Sequence, residues 1–442
     1  MIMDIFKLKH VIEEIIRDNQ NLMLARQILD VVEPTLQTIQ EHEIVSELCI
    51  QVKHFSLRLK CLEFAYTNCA NSEKLSPYRY ELAKTYFLLN YPEKALFYND
   101  IDLRNDVHNF YTLIERIRFL TAVGDIQEVD NILEYIGANN PLEKVHLDIE
   151  IGRKQLRNGD LDIGIKNITG SERPWFRDVV PQEFWGGLDA TGKTIVVHGQ
   201  GNIGDQFSHS RFIKKLYEFN PARVIFLSAY SNKRKDIEDI YRRHGIETTD
   251  INKFPKDYLW VNLSALPSYF QITEENLWEG PYFSAKKDSN NQIKEKKFKI
   301  GIKCNGDKNK DELVRRDLIS NQLLDILPKN VSVYNFDSTP HSGCVNLREK
   351  INNWEDTLDY IDEMDLIISC DTSFAHASGS IGKNTIVLAP LYEHFIWISD
   401  RTDETTPWYG SNFKIVKQTK IRDWETPLIR TKELVLEFMK NN

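Results

Sequence analysis

The sequence predicts an α/β protein in which an all-α helical array precedes two parallel-sheet lobes. Three observations carry this. The first 170 residues are poor in Gly and Pro and repeat apolar residues every three or four positions. From residue 191 short apolar runs alternate with amphipathic helices, the pattern of right-handed β-α-β units. A lysine-rich stretch without apolar period, residues 286–299, interrupts that alternation and reads as a linker. The expected segments are 1–170 for the array, 171–290 for a first Rossmann-like lobe and 291–442 for a second.

Length and composition agree. A chain of 442 residues with 41% apolar content suits two to four domains with real cores. Nothing approaches the roughly 18 consecutive apolar residues of a membrane span, and the opening MIMDIFKLKHVIEEII mixes charges into its apolar run, unlike a signal peptide. A cytoplasmic protein is expected. Six cysteines without a C-x-x-C pair argue against a zinc framework or a disulfide scaffold and for buried free thiols. The net charge of −9 is uneven: residues 1–170 carry 19 Lys and Arg against 26 Asp and Glu. The acidic array is a poor partner for a polyanion, while the nearly neutral remainder has room for basic patches.

In the array, Tyr80, Ala83, Tyr86 and Phe87 share a helical face, Asn90-Tyr91-Pro92 breaks the chain, and Ala95 and Leu96 open the inner face of the next helix. A weaker copy turns at Asn158-Gly159-Asp160. The spacing resembles tetratricopeptide repeats, which run to about 34 residues. Such an array presents a concave surface for an acceptor macromolecule, or serves as a packing platform in a homo-oligomer. Asp100-Ile-Asp102 and Asp160-Leu-Asp162 mimic a metal-binding D-x-D, but their place among helices reads as solvated surface.

Strands are expected at TIVVHG, ARVIFLS and YLWVNL in the first lobe, and at KIGIKC, VSVYNF, DLIISC and NTIVLAP in the second. Two such lobes make a cleft, with ligands at the carboxyl ends of strands. The loop from His198 to Asp205 contains G-x-G-x-x-G through Gly199, Gly201 and Gly204. A nicotinamide site also wants an acid at the end of the next strand, and Leu227-Ser228-Ala229-Tyr230 has none. What remains is a glycine loop that brings Asp205 to the mouth of the sheet, either as a general base or as a helix cap.

In the second lobe a strand runs out at Cys370 and Asp371-Thr372-Ser373 turn into a helix that carries His376. Exposed N–H groups and the positive dipole end suit a diphosphate. Alternatively, Asp371 and Ser373 are caps and His376 is a satisfied core histidine. Lys303, Asn305, Lys310, Arg315 and Arg316 stand where KIGIKC opens into the cleft, as phosphate partners or as solvated surface.

Three strings together resemble one family: GIKCNGDKNKDELVRRDLISNQLLDIL, NNWEDTLDYIDEMDLIISCDTSFAHASGSIGKNTIVLAP and WISDRTDETTPWYGSNFKIVKQ. They are similar to the donor half of tetratricopeptide-linked glycosyltransferases of the glycosyltransferase-B fold, related to the heptosyltransferases. The sequence departs from that pattern at Cys304, Asp317 and Asn384, which stand where Trp, Ser and Pro are usual. The resemblance implies an inverting, metal-independent transfer with no cofactor beyond a nucleoside-diphosphate sugar as donor. Asp205 would be the base, with Lys303, Asn305, Arg316, Asp371, Thr372, Ser373 and His376 on the donor and Gly201 and Gly204 shaping the loop. The acceptor would be a protein, glycan or lipid-linked hydroxyl. DNA is an alternative, from Lys233-Arg234-Lys235, Arg242-Arg243, Lys294 and Lys296-Lys297 interleaved with Trp260, Tyr269 and Tyr282. A non-catalytic scaffold is another.

Overall fold

The computed structural model describes residues 5–19, 21–170, 182–199, 201–228, 235–249, 255–288, 290, 292–306, 316–318, 320–399 and 401–441. Among them, ten α-helices make up the array: α1 (Ile5–Glu14), α2 (Leu22–Val32), α3 (Ile39–Gln51), α4 (Phe55–Asn68), α5 (Leu75–Leu88), α6 (Pro92–Asn105), α7 (Phe110–Val123), α8 (Ile126–Tyr135), α9 (Pro141–Arg157) and α10 (Leu161–Gly170). They stack in sequence, with α3 on α4, α5 on α6 and α9 on α10. The α5–α6 break is built as the sequence suggests. Asn90 takes a left-handed conformation, Pro92 occupies the first turn of α6, and Ala83, Tyr86, Phe87 and Ala95 are buried.

Two features of the array were not read from the sequence. Asp102 is not solvated surface: it is buried and accepts from Arg79 Nε at 2.7 Å, and Asp100 pairs with Arg116. Helices α9 and α10 also cross through Gly152 and Gly164. A Cβ on Gly164 would stand 2.8 Å from Leu156 Cγ and 3.0 Å from Gly152 O. Gly164→Leu is therefore expected to destabilise the chain by about 1–3 kcal/mol through overpacking, read as a lower denaturant midpoint. An unchanged midpoint would mean that the two helices separate freely.

The first lobe holds β1 (Thr194–Gly199), β2 (Arg223–Ser228), β3 (Glu247–Thr248) and β4 (Leu259–Asn262), all parallel, in the order β3-β2-β1-β4. Its helices are α11 (Ile203–His209), α12 (Arg211–Lys215), α13 (Lys235–Arg243) and α14 (Glu274–Leu277). The second lobe holds β5 (Lys299–Lys303), β6 (Ser332–Asn335), β7 (Val345–Asn346), β8 (Leu366–Cys370), β9 (Thr385–Ala389) and β10 (Phe413–Lys417). They too are parallel, ordered β10-β9-β8-β5-β6-β7. Helices α15 (Ser320–Ile326), α16 (Trp354–Asp362), α17 (Ser373–Ser380) and α18 (Glu425–Lys440) complete it.

In each lobe the chain lays strands outward on one side and then restarts on the other side of the first strand. The switch points lie between β1 and β4 and between β5 and β8, where open α/β sheets bind ligands at their carboxyl ends. The buried strands are continuous apolar runs because helices cover both faces. One apolar cluster runs from Ile165 and Ile168 of α10 through Val197 and Phe226 to Phe374, Trp397 and Tyr409, so array and lobes share a core. The linker is pinned to the second lobe: the backbone N–H groups of Lys287 and Asp288 donate to the Asp359 carboxylate at 2.7 and 2.9 Å. All six cysteines are free, four of them buried, and no described helix is long and apolar enough to cross a membrane.

Candidate functional site between the lobes

Asp205 and Gly204 do not lie in a loop. Helix α11 begins at Ile203, so both fall in its first turn, and only Gly201 remains in the connection from β1. The cap expected of Asp205 is built, and its second carboxylate oxygen is left toward the gap. One carboxylate oxygen accepts from Asn202 N–H at 2.7 Å, a helix cap. The other faces the gap, 3.9 Å from Nε2 of His394. Gly201 has φ +86°, and a Cβ there would stand 2.7 Å from Asp205 Oδ2, so it permits this carboxylate position. Gly204 permits contact between the lobes: a Cβ there would lie 3.0 Å from His376 Cδ2 and 3.3 Å from Ser373 Cα of α17. The starts of α11 and α17 thus touch, one from each lobe.

Across the gap stand Asp371, at the end of β8, and Arg316, whose Nε lies 3.4 Å from Asp371 Oδ2 while its Nη1 donates to Asp371 O at 3.3 Å. The two acids are driven apart in proton affinity. Burial, reinforced by the Asp371 charge, raises Asp205 against the pull of Asn202 N–H and Arg316. Burial acts on Asp371 too, but the neighbouring Arg316 guanidinium outweighs it and holds its carboxyl low. Thr372 is the N-cap residue of α17, but its side chain makes no cap bond; its hydroxyl turns back to Cys370 O at 3.4 Å and Ser369 Oγ at 3.3 Å. Ser373 opens the helix.

His376 is the satisfied core histidine of the simpler reading. Its Nδ1 pairs with Tyr409 OH at 2.9 Å and its ring stacks on Trp397 at 4.7 Å. The imidazole facing Asp205 is instead His394, in the connection after β9. Lys303 and Arg316 both stand at the second switch point but are already paired, Lys303 with Asp337 at 3.1 Å. Asp337 also accepts from the backbone N–H groups of Cys304 and Asn305 and lies 3.0 Å from His341 Nε2. Cys304, Asp337 and His341 are the group with metal-ligand character found among the described residues. The carboxylate's donors are supplied by the protein itself, so the cluster reads as an ion-pair network that fixes Lys303. Lys310 and Arg315 lie outside the described residues.

Sequence reasoning missed three further residues. His394 has a position as its signal, a histidine just past a strand's carboxyl end. Asn262, at the carboxyl end of β4, is 1% exposed and neither amide atom has a hydrogen-bond partner among the described residues. Such a group calls for a ligand or water. Arg211 of α12 bolts the lobes together: it donates to Leu277 O at 2.8 Å and to Trp408 O at 2.6 Å, and lies 4.6–5.6 Å from the ring centres of Tyr282, Tyr409, Trp278 and Trp408.

Among the described residues, the aromatics suggested for a nucleic-acid face are packed or hydrogen-bonded within the fold, and Arg242 and Arg243 are paired. Trp260 is 1% exposed and donates to Gln182 O, Tyr282 is tied to Arg211 and Phe207 O, and Tyr269 packs on Trp185. Arg242 and Arg243 are paired with Asp239 and Glu355. Lys233 and Arg234 lie outside the described residues.

Burial pushes His209, His376 and His394 each down to about 3, against about 6.5 for a free imidazole. The folded chain keeps them neutral while the unfolded chain takes up protons below about pH 6.5. Their contribution is therefore complete above that pH and is lost progressively toward pH 3. Asp205, with a raised carboxyl, works in the opposite sense. A denaturation series is expected to show lower stability at pH 5 than at pH 7, by roughly 1 kcal/mol per pH unit for each imidazole. Equal stability at the two values would contradict the buried, neutral cluster.

Two Rossmann-type lobes, their switch points facing across a carboxylate–histidine cluster and preceded by a helical array, are the architecture expected of a glycosyltransferase-B-type fold. No family model and no curated protein matches the chain. Among solved structures it is similar to E. coli heptosyltransferase WaaC with ADP, at 8% identity over 55% of this chain and 99% of that one, TM-score 0.38. A Thermobaculum terrenum O-GlcNAc transferase mutant aligns over 99% of this chain and 93% of its own, at 11% identity and TM-score 0.39. The iron-containing dodecameric glycosyltransferase TibC of enterotoxigenic E. coli aligns over 57% and 78%, at 8% identity and TM-score 0.38.

Proposed function

We propose that the chain is an inverting glycosyltransferase that moves a sugar from a nucleoside diphosphate to an acceptor hydroxyl without a metal ion. The observation that carries this reading is the opposed pair of acids across the gap: Asp205 at the start of α11 on one lobe, one oxygen 3.9 Å from His394 Nε2, and buried Asp371 beside Arg316 on the other. Their carboxyls are shifted in opposite directions, Asp205 up and Asp371 down. Two carboxyls tuned apart across a cleft are the arrangement that separates a proton acceptor from a fixed charge. Asp205 takes the acceptor proton as the hydroxyl oxygen bonds to the anomeric carbon. The bond from that carbon to the diphosphate oxygen breaks on the opposite face, and its electron pair leaves with the diphosphate. The N–H groups opening α17, with Ser373 and the nearby Lys303 and Arg316, stabilise the leaving charge. Asn305 and Thr372 would line the same edge, and the unpartnered Asn262 amide would meet the acceptor.

The array supplies a surface for a protein, glycan or lipid-linked acceptor; homo-oligomer formation is the other use such a surface serves. A cytoplasmic site of action fits a nucleotide-sugar substrate. One observation favours the scaffold reading instead, namely that Lys303 and Arg316 are already neutralised by Asp337 and Asp371. A thermal-shift panel of ADP, UDP and GDP and their sugar conjugates separates the two. A transferase is expected to respond to one nucleotide series, and a scaffold to none.

A further inference from the structure

We propose that Arg153, on helix α9 of the array, is a positioning residue for the His394 imidazole, so that the array sets the geometry of the inter-lobe site. The inference rests on the reading of that site given above, but its geometry is independent of any substrate.

The connection after β9 leaves the second lobe and reaches the array. Tyr392 lies edge-on to Phe87 of α5, ring centres 5.4 Å apart, and the Arg153 guanidinium carbon sits 4.4 Å from the Tyr392 ring centre on its other contact. Arg153 Nη2 donates to the Glu393 carbonyl oxygen at 3.0 Å, and Arg153 is 6% exposed. The Glu393 side chain is drawn the other way, to Lys417 of β10 at 3.1 Å. Residue 393 is thus held from two sides, its main chain by the array and its side chain by the second lobe. The next residue is His394.

A buried guanidinium on a main-chain carbonyl fixes the peptide that aims the following side chain. His394 uses that aim. Its Nε2 faces Asp205 at 3.9 Å and its Nδ1 has no hydrogen-bond partner among the described residues, so no bond of its own holds the ring in place. The charged and titratable groups around it are Asp205 and His209 of α11, Asp371 after β8, His376 of α17, Arg316 and Arg153 itself. Burial, with Arg316 and Arg153 opposing a third positive charge, keeps the ring neutral.

The test uses the full chain and diethyl pyrocarbonate, which acylates neutral imidazole, with modification at each histidine followed by mass spectrometry from pH 5.5 to 8. In the parent chain His394 is expected to react at a rate flat with pH. In Arg153→Met, and in Arg153→Lys, which keeps the charge but not the fork and the stacking, the rate is expected to rise several-fold. His146, on the same helix as Arg153 and away from the loop, and the control Arg116→Met are expected to show no change. A folded Arg153→Met with the parent rate at His394 would overturn the proposal, as would an equal rise at His146, which would report general loosening. If Arg153→Met does not fold, Arg153→Lys, which loses the fork, decides by the same criterion, with Tyr392→Leu, which removes the ring under the guanidinium, as a weaker second variant. The two readings fail separately: a change at His394 in a chain that responds to no nucleoside diphosphate sinks the transferase, and the reverse sinks only the positioning role.

Discussion

Replacing Asp205 by Asn is expected to slow sugar transfer, or hydrolysis of the donor, by about 10²–10⁴-fold while nucleoside-diphosphate binding survives. The range is the contribution of a positioned general base. The amide oxygen still accepts from Asn202 N–H, so the start of α11 keeps its cap. Stability supplies a second readout of opposite sign. Because burial raises the Asp205 carboxyl, its contribution is present below the carboxylate's free value and is lost as pH rises through the folded value. At neutral pH the native aspartate is therefore a cost, and Asp205→Asn is expected to melt higher than the parent. A variant that keeps its turnover with saturating donor removes Asp205 as base. One that loses activity and melts lower reports a structural role instead.

Arg316→Met carries the largest expected loss of stability. Asp371 is 3% exposed, and removing its guanidinium leaves a buried charge without its main partner, a change that costs about 3–5 kcal/mol when the pair is fully buried. Arg316 keeps some solvent access, so the lower end is expected. The sign with pH is fixed: Asp371 has a depressed carboxyl, so the pair stabilises above the free value near 3.9 and its contribution fades as pH falls through the folded value. The double variant Arg316→Met/Asp371→Leu removes both charges and is expected to recover most of the stability without recovering nucleotide binding. Recovery of both would mean that the pair holds the lobe together and takes no part in the site. A single variant as stable as the parent would mean that Asp371 is solvated.

Most strands were legible because the parallel sheets are buried on both faces, so TIVVHG, DLIISC and NTIVLAP stand as apolar runs between polar turns. Strands β3 and β7 were not, since two residues carry no period, and β10, whose FKIVK alternates with lysines, was missed as well. The start of α11 was read too late because Gly201 and Gly204 look alike in sequence. One holds a left-handed turn, and the other opens room for a neighbouring helix, a tertiary fact. The same limit explains the charges. Lys303 and Arg316 were read as free for phosphate, yet their partners lie 34 and 55 residues along the chain. Asp102 looked like surface because Arg79 approaches it from the preceding helix. His394 and Asn262 carry no motif, and only the strand order places them at carboxyl ends.

Hydrogen exchange on the full chain, with and without saturating ADP, UDP or GDP, reaches the central claim most directly. The nucleotide that gives the largest thermal shift is expected to protect residues 371–376, where α17 opens, together with residues 203–206 of α11. Protection confined to the helical array, or absent from both helix starts while the nucleotide is bound, would place the ligand elsewhere and contradict the inter-lobe site.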